Sequence, residues 1–146
     1  MKNGTILGIA HIAYLAHDME RMMEFYCGVL GFRKKFLLPD ENGRPWIQYV
    51  EVAPRQYIEF FYDYKDLTPE NSFARMARLD RLGPMHLSLE VQNIRALAEH
   101  LRAHDVRIVT DVTLGDDGTW QIWFEDPEGN PIEFHEYTDK SLQLTT

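Results

Sequence analysis

Four side chains draw attention first. His11, Glu59, His86 and Glu133 each stand inside a β-like run where an apolar residue is expected. An ionisable group in such a place needs a partner, because burying a bare carboxylate costs several kcal/mol even after relaxation. One divalent cation would satisfy two carboxylates and two imidazoles together. Mixed nitrogen and oxygen ligation suits Zn, Ni, Co, Mn or Fe(II) rather than a thiolate-loving ion. Taken singly, each position has an ordinary reading. A histidine on a strand is more often a hydrogen-bonded core or rim residue, and a glutamate alternating with Ile and Phe more often faces solvent.

The spacing changes that balance. His11-Ile12-Ala13-Tyr14-Leu15 lies over His86-Leu87-Ser88-Leu89-Glu90 at an offset of 75 residues, and Glu59 falls within one residue of Glu133. At the same offset Asp18 lies over Asn93, and the apolar pattern from Met22 to Tyr26 lies over Leu97 to Leu101. Each half supplies one His near its start and one Glu near its end. Internal self-similarity of this kind marks two copies of one structural unit.

Each unit reads as strand, helix, then several strands. In the first, a strand spans Ile6 to Leu15, and Asp18 caps a helix from Met19 to Leu30 that Gly31 closes. Strands follow at Arg33 to Leu38, Trp46 to Val52 and Tyr57 to Tyr62, with turn chemistry from Asp40 to Pro45. Thr68 to Leu82 reads as a linker ending in a short helix. In the second unit a strand spans Met85 to Val91, and Asn93 caps a helix to about His104. Strands then run from Arg107 to Val112, Trp120 to Glu125 and Ile132 to Tyr137. The expected organisation is one α+β domain over 1–146, with βαβββ modules at about 6–63 and 84–137, a linker at about 64–83 and a tail at 138–146. The tail is expected to be poorly ordered.

Composition narrows the function. A formal net charge of −8 argues against nucleic acid as a partner, since that role needs clustered Lys and Arg. No apolar run is long enough to span a membrane. No signal-like apolar core follows Met1, and the single Cys27 forms no internal disulfide, so a cytoplasmic location is expected.

Further motifs carry a resemblance. Gly8-Ile9-Ala10-His11-Ile12-Ala13, Phe25-Tyr26-Cys27-Gly28-Val29-Leu30-Gly31-Phe32, Met85-His86-Leu87-Ser88-Leu89-Glu90-Val91 and Asp126-Pro127-Glu128-Gly129-Asn130-Pro131-Ile132-Glu133 are the segments concerned. Together they resemble the vicinal oxygen chelate superfamily, which includes glyoxalase I, methylmalonyl-CoA epimerase, fosfomycin-resistance enzymes and extradiol dioxygenases. The resemblance covers about residues 8 to 137. It implies paired βαβββ modules in a U-shaped half-barrel, with one divalent metal chelating neighbouring substrate oxygens and stabilising an enediolate or oxyanion. By position, His11, Glu59, His86 and Glu133 match the four ligands of the glyoxalase I and epimerase branches. The resemblance then implies a glyoxalase-like isomerase or lyase, with Glu133 as first candidate for the base and Glu59 as second. It also implies a small-molecule substrate and a homodimer.

The sequence departs from glutathione-using members. Leu15 stands where an Arg is common, Asp63 where an Asn is common, and Gly115-Asp116-Asp117-Gly118 replaces a basic loop. Carboxylates there would repel a polyanionic thiol conjugate, so the expected substrate is small, neutral or weakly charged, with adjacent oxygens. Strand alternation sets His135 beside Glu133 and Asp63 beside Glu59, and Tyr49 and Trp123 are candidates to line the site next to substrate or ligands. Alternative readings are a ring-cleaving dioxygenase, an epimerase of methylmalonyl-CoA type, and a metal-free binding protein like those of bleomycin resistance.

Overall fold

The computed structural model describes residues 9–64 and 86–145. The chain divides into two compact units, one ending at Leu79 and the next starting at Asp80. The expected linker and its short helix, and the first residues of the expected opening strands, lie outside the described residues.

In the first unit β1 (His11–Ala16) leads into α1 (Met19–Met23), which continues as a π-helical turn over Glu24–Val29. Then come β2 (Arg33–Pro39), β3 (Pro45–Ala53) and β4 (Gln56–Tyr62). The strands form one sheet in the order β1-β4-β3-β2, with β1 parallel to β4 and the others antiparallel. In the second unit β5 (Leu87–Glu90), α2 (Ile94–Ala103), β6 (Ile108–Leu114), β7 (Trp120–Glu125) and β8 (Pro131–Glu136) repeat that plan. Their order is β5-β8-β7-β6, again with the first strand parallel to the last. The α+β class and the βαβββ repeat expected from the sequence are present in both units.

Local chemistry explains the element ends. Asp18 accepts a hydrogen bond from the Arg21 N–H (3.1 Å), which caps α1. The π-helical turn shows in the Leu30 N–H reaching the Phe25 carbonyl (3.0 Å), and Gly31 then leaves the helix at φ +73°. Asn93 caps α2, whose first amides are also held by the Glu136 carboxylate (2.6 and 3.1 Å). A negative group at a helix N-terminus meets both the free N–H groups and the dipole.

One face of each sheet carries the core. Met22 and Tyr26 pack on Val50, Ile58 and Phe60 in the first unit, all of them fully buried. The Tyr26 and Phe60 rings lie 4.8 Å apart. Ile94, Ala98 and Leu101 do the same work for Ile122, Phe124 and Ile132 in the second. Because side chains alternate along a strand, the residues between these core positions face the opposite side of each sheet.

The tail differs from expectation. A short helix, α3 (Leu142–Thr145), forms, and Ser141 is fully buried. The Ser141 hydroxyl donates to the Gly118 carbonyl (3.2 Å) and accepts from the Thr119 hydroxyl (3.0 Å). The Leu142 N–H donates to the Asp117 carbonyl (2.9 Å). The chain end is ordered because the β6–β7 turn offers it backbone and hydroxyl partners. Short polar residues gave no periodic signal of this.

Candidate functional site

The register brings the singled-out residues together within each unit. In the first, Glu59 on β4 is paired directly across from Tyr49 on β3, and β1 runs parallel on its other side. His11 opens β1, and its Nε2 lies 3.4 Å from Oε2 of Glu59. The Tyr49 hydroxyl donates to Oε1 of the same carboxylate. The Tyr49 ring meets the His11 ring edge-on at 6.3 Å. Glu59 is buried, at 8% exposure, between the core residues Ile58 and Phe60.

The second unit repeats the arrangement. Glu133 on β8 is paired across from Trp123 on β7, with β5 parallel on its other side. His86, just before β5, places Nε2 3.5 Å from Oε2 of Glu133. The Trp123 ring stands edge-on to His86 at 4.6 Å, as Tyr49 does to His11. His135, two residues beyond Glu133 on the same face of β8, brings its Nε2 to 3.0 Å from Oε1. Glu133 is 4% exposed.

Turn chemistry sets these positions. Asp126 accepts from the N–H groups of Glu128 and Asn130 and from the Asn130 side chain, which fixes the β7–β8 hairpin that leads into Glu133. Gly129 takes φ +83° there. In the first unit Asp40 makes the same contacts with Asn42 and Arg44 in the β2–β3 turn. The Arg44 N–H, ahead of the other groups, holds the Asp40 carboxyl below the usual carboxylate range.

The two pairs suit a cation. Among the described residues neither buried carboxylate has a Lys or Arg partner; their ion-pair contacts are imidazoles alone. Two donors bound about 2.0–2.2 Å from one ion at a tetrahedral angle stand roughly 3.3–3.6 Å apart, and the two Nε2 to Oε2 separations fall in that interval. Each pair supplies one imidazole nitrogen and one carboxylate oxygen. Among the described residues no group of three or more His, Cys, Asp and Glu side chains is disposed to hold an ion by itself.

Other residues are placed apart from the two clusters. Asp63 contacts the exposed His17 beyond the end of β4 rather than the Glu59 cluster. Trp120 lies under the Arg95 guanidinium of α2 (4.9 Å), on the core side of its sheet. A cavity of about 540 Å3 on the first unit, lined by α1, its π-helical extension, Lys34 and Tyr62, includes neither His11 nor Glu59. Sequence reasoning passed over Gln121. It faces His135 across the β7–β8 pair, and its carbonyl oxygen accepts from the Trp123 indole N–H (3.2 Å). Strand alternation from Trp123 would have found it.

The model of the Glyoxalase/Bleomycin resistance protein/Dioxygenase superfamily matches residues 8–134. The chain is 30% identical over 128 residues to the uncharacterized protein YaeR of Escherichia coli (strain K12), covering 88% of this chain and 95% of that protein. It is 24% identical over 147 residues to a 2-epi-5-epi-valiolone epimerase of Actinomyces sp, covering 87% and 78%. A solved glyoxalase family protein from Enterococcus faecalis shares the fold, with a TM-score of 0.70 at 23% identity over 89% of this chain and 98% of that one.

Proposed function

The chain belongs to the glyoxalase/bleomycin resistance protein/dioxygenase superfamily, and from that premise we propose that it is a divalent-metal-dependent isomerase or lyase of glyoxalase type. Its substrate is a small, neutral or weakly charged molecule with oxygens on neighbouring carbons. The observation that carries the reading is the doubled pair, a buried Glu Oε2 beside a His Nε2 in each unit. The relative named as an epimerase supports chemistry at a C–H bond.

His11, Glu59, His86 and Glu133 together would hold one cation. When bound, such an ion supplies Lewis acidity, lowering the cost of negative charge on a substrate oxygen. The chain's own residues do the rest. Released from the cation, Oε2 of Glu133 takes the proton beside the carbonyl and returns it, with Glu59 the second candidate for that work. The burial of both carboxylates keeps water from competing for the proton. Tyr49 and Trp123 stand edge-on to the two imidazoles and restrict how each ring turns.

Among the described residues, the turn before β7 (Gly115 to Thr119) offers no basic side chain to a glutathione or CoA anion. The turn before β7 carries Asp116 and Asp117, and Asp117 is occupied by Gln143 and Thr119. The test is a screen of α-hydroxy-carbonyl, sugar and catechol compounds in heavy water with protein loaded in turn with Zn, Ni, Co and Mn. Deuterium entering beside a carbonyl is the expected result. Oxygen uptake with catechols and no deuterium exchange would replace this reading with ring cleavage.

A further inference from the structure

We infer that Tyr49 and His135 are positioning residues that engage Oε1 of each buried carboxylate, leaving only Oε2 for the cation. The inference rests on the reading of the site given above. In both units the carboxylate is divided in the same way. Oε2 lies beside an imidazole, at 3.4 Å in the first and 3.5 Å in the second. Oε1 is turned to a different group, the Tyr49 hydroxyl or Nε2 of His135.

The two orienting groups are not repeat equivalents, and this gives the pattern its weight. Tyr49 reaches Glu59 from the neighbouring strand. The matching position across from Glu133 holds Trp123, whose only donor is directed to Gln121. His135 supplies the contact instead, from the strand position that Phe61 occupies in the first unit. The same oxygen is met from two different places, which a shared ancestral packing contact does not explain. Holding Oε1 fixes the terminal torsion of the glutamate and keeps it from offering both oxygens at once. Groups that orient ligands in this way typically contribute about 10–100-fold in metal affinity.

The test is Co2+ titration of the full chain, stripped of metal, by calorimetry. Four proteins are compared: wild type, Tyr49→Phe, His135→Gln and His135→Phe. Tyr49→Phe removes only the hydroxyl. His135→Gln keeps an N–H donor, whereas His135→Phe copies Phe61 and keeps an aromatic ring. The expected dissociation constants rise about 10–100-fold for Tyr49→Phe and His135→Phe and stay within about threefold for His135→Gln. A packing role at 135 would reverse that order, and the reversal would overturn the assignment. Tight wild-type binding with all variants unchanged would overturn it too, while leaving the metal site standing. A wild type that takes up no Co2+ would overturn the reading of the site itself. Melting curves of the metal-free proteins establish folding, and Tyr49→Phe decides alone if both His135 variants fail to fold.

Discussion

Nε2 of His11 stands 3.4 Å from Oε2 of Glu59, joining the first residue of β1 to the fourth residue of β4. The contact spans 48 positions in sequence, and the parallel pairing of the two strands makes it. His86 and Glu133 repeat it on β5 and β8. A pair of this kind is poor at holding structure, because an imidazole only partly offsets a buried carboxylate. It is well matched to a cation.

That mismatch makes a stability prediction. Glu59→Gln keeps an oxygen to accept from Tyr49 and removes the buried charge. The metal-free variant should be as stable as wild type or more stable by about 1 kcal/mol, while losing metal binding. Thermal denaturation with and without added metal checks both halves. A metal-free variant destabilised by several kcal/mol would mean that Glu59 is a structural residue.

Two glycines with similar backbone angles should respond differently to alanine. Gly129 takes φ +83° with open space around the missing Cβ, so Gly129→Ala should cost about 1 kcal/mol. Gly118 takes φ +77°, and a Cβ there would meet the Lys140 carbonyl oxygen at 2.7 Å. Gly118→Ala should therefore cost about 2–4 kcal/mol and release the tail. Denaturant midpoints give the ranking, and equal costs would show that the tail is not seated on this turn.

The same tail should loosen in acid. The Gln143 amide, and after it the Thr119 N–H, hold the Asp117 carboxyl below its ordinary value. A carboxyl depressed in the folded state adds stability that is fully present above its unfolded value of about 3.9 and is lost as pH falls through the lower folded value. Amide resonances of Ser141 to Thr145 should thus be constant from neutrality to about pH 4 and broaden below it. Asp117→Asn should remove that acid step. Loosening already near pH 6 would point to another group.

Substrate charge gives a fourth prediction. With Asp116 and Asp117 in the turn before β7, an S-substituted glutathione should show no micromolar binding by calorimetry. Micromolar affinity would contradict a small, weakly charged substrate.

Turn chemistry at Asp40 to Pro45 and Asp126 to Pro131 made the strand ends legible, and the caps Asp18 and Asn93 are where their residue types suggested. The repeat made the His and Glu pairs legible, since a shared offset outweighs four ordinary readings. Contacts that depend on rotamer and register were not legible. Asp63 alternates with Glu59 along β4, yet its side chain meets His17 beyond the strand end. His135 was visible as a neighbour of Glu133, but its contact to one particular oxygen was not. The ordered tail was missed because hydroxyls and amides seated on a turn leave no periodic trace.

Metal stoichiometry tests most directly the proposal that the two pairs form one metal centre. Stripped protein titrated with Co2+ or Zn2+ should bind one ion per chain. His11→Ala in the first unit and His86→Ala in the second should each abolish that binding. Two ions per chain, each lost only with its own histidine, would contradict a shared centre, as would a wild type that binds none.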